Sequence, residues 1–332
     1  MAELKVTRDT FQLAERFTIS RGSRTEAKVI TVTISEGDYS GVGECVPYAR
    51  YDETLDSVES SIQALQSDLR NSPDREALQQ LLPAGAARNA VDCALWDLDA
   101  KRAQKPVWQL AGLTQPSALT SAYTLSLDEP ERMKAKAASN ATRPLLKIKL
   151  GGGEEDIARL QAVRDGAPDS TIIVDANEGW DRAQYESLAP VLLELGVAMV
   201  EQPFAAGDDA VLADMERPLP VCADESCHDV ASLGALAGKY DMVNIKLDKT
   251  GGLTEALLLE KSAREAGFEI MVGCMIGSSL AMAPAVLVAQ QARFVDLDGP
   301  LLLAEDRSVP LNFEGSVLHP PTPELWLSLI HI

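Results

Sequence analysis

The sequence holds 332 residues, of which 46% are hydrophobic, 24% charged and 5% aromatic, enough chain for two domains or a capped barrel around an aliphatic core. With 30 basic against 50 acidic residues the formal charge is −20, a field that repels phosphate backbones and anionic lipid, so no nucleic acid or membrane partner is expected. A small charged substrate is not excluded, because a local Arg or a metal ion inverts the field at a site.

The chain opens Met1-Ala-Glu-Leu-Lys5 with no signal-peptide pattern, and no apolar run reaches membrane-spanning length. The five cysteines (Cys45, Cys93, Cys222, Cys227, Cys274) are odd in number and contain no CxxC pair, as expected of reduced thiols in a cytoplasmic protein. Only His228, His319 and His331 are available as imidazole ligands, which argues against a zinc site. Residues 1–115 read as an α+β domain, with strands of an antiparallel sheet at 4–20 and 27–35 and helices at 54–69 and 86–102. Trp96 and Leu95 on the second helix are expected in the core.

From residue 116 to 300 one pattern repeats. β-rich segments at 121–127, 145–150, 171–177, 197–203, 220–226, 242–248, 269–275 and 294–298 alternate with helix-like stretches such as 154–165, 181–195 and 253–266. From the second segment onward the starts lie 26, 26, 23, 22, 27 and 25 residues apart, about what a strand, a helix and two loops need. Eight evenly spaced units predict a closed parallel barrel in preference to a doubly wound open sheet. Residues 301–326 contain no barrel unit and are expected to return to the first domain. The last six residues, 327–332, match the translation of a sequencing-library adaptor, so they are set aside as a suspected non-native tail.

Chemistry in such a barrel sits at the C-terminal ends of the strands. Six of the eight strand ends carry charge: Lys147 and Lys149; Asp175, with Asn177; Glu201; Asp224 and Glu225; Lys246 and Asp248; Asp296 and Asp298. Side chains alternate along a strand, so each i, i+2 pair is expected to share a face. One such charge is as readily a solvated rim residue, but six of eight is not. Asp175, Glu201 and Asp224, on consecutive strands, can converge on one point; three oxygen ligands without His or Cys favour Mg²⁺, with Glu225 left open as an alternative third ligand. Lys149 and Lys246 stand on the second and sixth strands, opposite each other in a ring of eight. Opposed amines suit inversion at a carbon: one removes a proton and the other returns one to the opposite face. A nearby dication is expected to lower a lysine pKa and to stabilise the enediolate left when an α-proton departs. Lys147 is expected to offset carboxylate charge or to hold Lys149. The remaining features read as structure: Gly151-Gly-Gly153 as a βα loop without the phosphate-binding GK[ST], Cys222 and Cys274 as strand packing, His228 as outside the constellation, Asn177 as positioning.

Taken together, Lys147-Ile-Lys149, Val174-Asp-Ala-Asn177, Glu201-Gln-Pro203, Ala223-Asp-Glu-Ser226 and the run from Asn244 to Gly252 resemble the enolase superfamily, muconate-lactonizing subgroup. With Arg21-Gly-Ser-Arg24, Gly43-Glu-Cys-Val-Pro-Tyr48 and Asp296-Leu-Asp298, the set is similar to its L-Ala-D/L-Glu dipeptide epimerases. A Lys or His base with Mg²⁺ is the general description of enolase-superfamily sites, so that part of the mechanism is the superfamily's and not a deduction from these residues. The resemblance implies a (β/α)7β-type modified TIM barrel under an N-terminal α+β capping domain. It also implies Asp175, Glu201 and Asp224 as Mg²⁺ ligands and Lys149 and Lys246 as the acid/base pair. Asp296 and Asp298 would hold the dipeptide's ammonium. Arg24, with Arg21 as a second candidate, would meet an acidic side chain, and loops near Arg24 and 48–51 would close over the barrel. A role in recycling cell-wall peptides, and possible homo-oligomers, follow from the same source. The competing readings are a cycloisomerase or o-succinylbenzoate synthase, a Schiff-base aldolase using Lys246, and a non-catalytic anion-binding barrel. The aspartate pair argues against the first, whose substrates carry no ammonium.

Overall fold

The computed structural model describes residues 2–71, 74–153 and 155–326; Glu154, where the expected helix 154–165 would start, and the suspected tail 327–332 lie outside them. Three long strands, β1 (Glu3–Ile19), β2 (Gly22–Glu36) and β3 (Tyr39–Cys45), form an antiparallel sheet in the order β1-β2-β3. β1 and β2 meet in a hairpin at Gly22, whose φ of 141° suits glycine. One sheet face buries Ile30, Val32 and Ile34 against Ala90, Val91, Ala94 and Leu98 of the helix Ala86–Ala103. The helix lies so close to β3 that a Cβ on Gly41 would stand 2.1 Å from the Ala94 carbonyl oxygen, and one on Gly43 2.2 Å from that of Ala90. That helix is buried on nearly every side, because its other face packs on the barrel through Cys93, Trp96 and Ala100. Leu95 and Trp96 are both core residues as expected, one in each of the two cores the helix touches.

The second sheet follows β4 (Leu119–Thr120), which pairs at the edge with β14 (Val317–Leu318), itself paired with β13 (Phe313–Glu314). Eight parallel strands then run in sequence order: β5 (Tyr123–Leu125), β6 (Leu145–Lys149), β7 (Thr171–Asp175), β8 (Val197–Glu201), β9 (Val221–Ala223), β10 (Met242–Ile245), β11 (Glu269–Val272) and β12 (Phe294–Val295). A parallel bridge between Ser121 and Val295, with the Ala122 N–H donating to the Val295 carbonyl at 2.7 Å, joins the first strand to the last. Outward residues such as Ile148, Val174, Val200, Val243 and Val272 enter the core shared with the helices. Inward residues Leu145, Ile173, Met199, Cys222, Met242, Met271 and Phe294 make an apolar floor, which is where the expected packing role of Cys222 lies. No described helix is long and apolar enough to cross a membrane.

The strands are shorter than expected, so Asp224, Lys246 and Asp296 each stand one residue beyond their strand. Even spacing also conceals uneven connections. A 3-10 turn at Asp209–Ala213 follows β8, and β9 is followed by Val230–Ser232 and the one-turn helix Leu233–Leu236. Gly207, Pro218 and Gly238 limit helix in those stretches. After β12 the chain leaves through Gly299–Leu302; Leu303 then bridges Leu13, and the Trp326 indole donates to the Val42 carbonyl at 3.1 Å.

Asp248 departs from its expected place. It lies in the one-turn helix Leu247–Thr250 and does not share the face of Lys246. Its Oδ1 accepts from the Val46 N–H at 3.0 Å and the Asn89 amide at 2.8 Å, tying the first sheet and its helix to the barrel. Arg88 to the Thr250 carbonyl (2.7 Å) and Asp92 from the Thr254 hydroxyl (2.6 Å) extend that seam. Burial, which outweighs the donors from Val46 and Asn89, pushes the Asp248 carboxyl up to about 7. The folded protein therefore keeps this proton between about pH 4 and 7 while the unfolded chain releases it, and stability falls as pH rises through that window. Asp248→Asn should flatten this fall, by up to about 3 kcal/mol between roughly pH 5 and 8, in urea unfolding of both proteins.

Candidate active site

Parallel register places Lys149 beside Asp175 and Asp175 beside Glu201, one row across β6, β7 and β8. Glu201 sits beside Cys222, so Asp224, two residues on, projects inward above it. Each column steps from the apolar floor into charge: Leu145 to Lys147 to Lys149, Ile173 to Asp175, Met199 to Glu201, Cys222 to Asp224, Met242 to Asn244 to Lys246, Phe294 to Asp296. One carboxylate oxygen from each of Asp175, Glu201 and Asp224 lies within 4.8 Å of the others, and all three side chains are buried. Glu201 Oε2 has Lys147 Nζ at 2.7 Å, yet no hydrogen bond of good direction reaches it. Three converging hard oxygens, on a triad in which one Glu201 oxygen lacks a directed donor, fit a Mg²⁺ ion.

Four buried ammonium groups balance these acids. Lys147 reaches Asp175 (3.2 Å), Glu201 (2.7 Å) and Asp296 (2.8 Å), which is charge compensation and not a contact with Lys149. Lys149 pairs with Asp175 at 2.5 Å and Lys246 with Asp224 at 2.6 Å, from strands four apart in the ring. Burial alone would raise the Asp175 and Asp224 carboxyls, but their lysine neighbours outweigh it and hold both below the usual range. Glu201 is pushed up by burial and then by Asp175. Burial would lower the Lys246 amine, but Asp224 and Glu201 outweigh it, and these acids hold it well above its ordinary value. The lowering expected from the sequence depends on a bound dication taking the acids' charge.

The hairpin of the first sheet roofs this cleft, whose walls include Arg21, Arg24, Tyr48, Tyr51, Thr124, Asn177, Glu225, Asp296 and Asp298. The free volume among these side chains is about 70 Å³. Arg24 rests over the Tyr48 ring, 5.6 Å from its centroid, and among the described residues no ion pair involves it. Arg21 is committed elsewhere: it donates to Glu225 (2.7 Å), the Asn177 carbonyl (2.7 Å) and the Tyr48 hydroxyl (3.2 Å). Glu225 pairs with Arg21 through Oε1 and stands outside the three-acid group, yet close enough that burial and then Asp224 push it up to about 7. Asp298 accepts from the Thr124 N–H at 2.6 Å beside Asp296, and burial followed by Asp296 pushes it up to about 7.

Several residues here carried no assigned role in the sequence. Lys249 is fully buried, with Nζ 2.6 Å from Asp224 Oδ1 and 2.9 Å from the Asn244 carbonyl. Asn244 donates to Glu201 Oε1 at 2.7 Å, and Thr124 serves the aspartate pair. Lys249 and Asn244 stand in the motif quoted above, and their i, i+2 and i+3 relation to Lys246 was the available signal; Thr124, on a three-residue strand, left none. Cys274 lines the cleft instead of packing within a strand, and His228 buttresses Tyr51 edge-on at 4.8 Å.

Residues 1–112 match the mandelate racemase/muconate lactonizing enzyme N-terminal domain, and residues 132–322 match the enolase C-terminal domain-like family. The chain belongs to the enolase superfamily. Among its superfamily relatives is the L-Ala-D/L-Glu epimerase of Escherichia coli K12, 47% identical over 96% of this chain and 100% of that protein. An N-acetyl-D-glutamate racemase of a Pseudoalteromonas species is 46% identical over 90% of this chain and 95% of its own length. An enolase-family crystal structure from Agrobacterium tumefaciens, with homology to dipeptide epimerases and holding sodium and L-Ala-L-Glu, superposes with a TM-score of 0.96 at 52% identity, covering 98% of this chain and 100% of that one. A dipeptide epimerase from Enterococcus faecalis, complexed with Mg and L-Leu-L-Tyr, superposes at 0.90 with 29% identity, covering 98% of each.

Lys249→Met tests the missed lysine. Removing one partner from a buried charge cluster should lower unfolding free energy of the metal-free protein by about 3–5 kcal/mol, read from urea titration. A change below about 1 kcal/mol would mean that Lys246 alone satisfies Asp224.

Proposed function

We propose that this protein is a Mg²⁺-dependent epimerase of L-Ala-D/L-Glu type dipeptides. The observation that carries the reading is the row of three acids lying between amines on opposite strands, Lys149 and Lys246. Asp175, Glu201 and Asp224 would hold the ion, whose chemistry is stabilisation of the charge that develops on the substrate carboxylate. Lys149 and Lys246 would address the two faces of the Glu α-carbon, one amine taking the proton and the other delivering one, so that the centre inverts. Asp296 and Asp298, oriented through Lys147 and Thr124, would accept the substrate ammonium. Arg24, free of any described carboxylate, would pair with the substrate's side-chain carboxylate, while Arg21 holds the rim. Asn177 and Glu225 would position the roof over the reacting carbon.

The division of labour follows: 1–115 with 301–326 as the cap, and 116–300 as the catalytic barrel. A cytoplasmic role in cell-wall peptide recycling agrees with five free cysteines, four of them buried. A second reading, racemisation of an N-acylated glutamate, is favoured by the 46% identical relative, but it leaves the aspartate pair without a cation to bind. In D₂O with Mg²⁺, L-Ala-L-Glu should gain deuterium at the Glu α-carbon and not at Ala, by mass spectrometry and NMR. EDTA should abolish that exchange, and Lys149→Ala or Lys246→Ala should slow epimerisation by roughly 10²–10⁴-fold. Faster turnover of N-acetylglutamate than of any dipeptide would overturn the dipeptide assignment.

A further inference from the structure

Gln202 is neither charged nor exposed to the cleft, yet it touches the ends of three strands that carry the acids. It follows Glu201, is fully buried, and has φ of 35°, a left-handed conformation a glutamine holds only when its surroundings impose it. Its backbone N–H donates to the Cys222 carbonyl at 2.9 Å, and its carbonyl accepts from the Glu178 N–H at 2.9 Å. Its side-chain oxygen accepts from the N–H groups of both Asp224 (2.9 Å) and Ser226 (3.1 Å), gripping the turn on either side of Glu225. The amide nitrogen has the Phe204 carbonyl, the Ser226 hydroxyl and the Tyr240 hydroxyl each at 2.9 Å. Beyond them Asp209 accepts from Ser226 (2.7 Å) and Tyr240 (2.8 Å), and Lys239 closes the network on Asp209 at 2.6 Å.

From this geometry we infer that Gln202, braced by Tyr240, Ser226 and Asp209, is a positioning residue that sets where the Asp224 carboxylate meets the other two acids, and so sets the affinity of the cation site. The inference rests on the metal-ligand reading above. Its physical basis is that a carboxylate's aim is fixed by its own backbone, and here the N–H of Asp224 itself and that of Ser226, two residues on, both depend on one side-chain oxygen. Without it they would be unsatisfied, and the turn would rotate to find partners. Groups that orient metal ligands in this way typically govern metal affinity by 10–100-fold.

The test is isothermal titration of Mg²⁺ alone into the substrate-free full-length protein, with Mn²⁺ EPR as a spectroscopic reading of site symmetry. Gln202→Met should weaken Mg²⁺ binding by roughly 10–100-fold and broaden the Mn²⁺ spectrum. Tyr240→Phe, which keeps the ring in place, should weaken binding several-fold in the same direction. A purely structural role would lower the unfolding midpoint while leaving the Kd of folded protein unchanged. Folded Gln202→Met binding Mg²⁺ within about twofold of the parent overturns the inference; should that variant not fold, an unaltered Kd for Tyr240→Phe does so. A parent protein that binds no Mg²⁺ would instead overturn the ligand assignment on which the inference stands.

Discussion

Alternation along a closed parallel sheet governs this molecule. Once eight strands form a ring, every second residue must point at the axis, and the chain must decide what fills each level of a narrow interior. Here the lower level is apolar, from Leu145 round to Phe294, and the next is ionic, from Lys147 and Asp175 round to Asp296. The floor seals one end against water, so charges above it face solvent only through the roofed mouth. In that setting each ion is strengthened by its neighbours and costly without them. Burial would push Asp175 and Asp224 up and Lys147 and Lys246 down, and for each the neighbouring opposite charges outweigh it.

Such a cluster contributes poorly to stability for its size, because desolvation cancels most of the attraction between paired ions. Stability has to come from the apolar layers around it: the floor, the shell between strands and helices, and the helix Ala86–Ala103 with the sheet it carries. The seam between cap and barrel repeats the problem on a smaller scale. Asp248, Asp92 and Glu44 are buried carboxyls raised by burial and satisfied by donors from the opposite body.

The barrel was legible in the sequence because its signal is periodic at two scales, a unit of roughly 25 residues and an alternation of two. The acids and lysines at the cleft were legible because a charge directed into an apolar barrel has no packing explanation. What escaped depended on tertiary placement. Asp248 sits two residues from Lys246 and was given its face, but the strand ends at Ile245 and a helical turn rotates the side chain toward Val46. Thr124 and Gln202 act through uncharged groups that any packed strand end could carry. The helix expected after each strand gave way to 3-10 turns after β8 and β9, where glycines and prolines overrule spacing.

The glycines at 41 and 43 reach further than their size suggests. By letting the helix Ala86–Ala103 sink onto β3, they leave that helix no face of its own: one side belongs to the sheet, the other to the barrel. Neither body can then shed the helix without exposing an apolar surface built for the other. The two halves are consequently committed to melt together, as one cooperative unit, although the chain passes through them in turn.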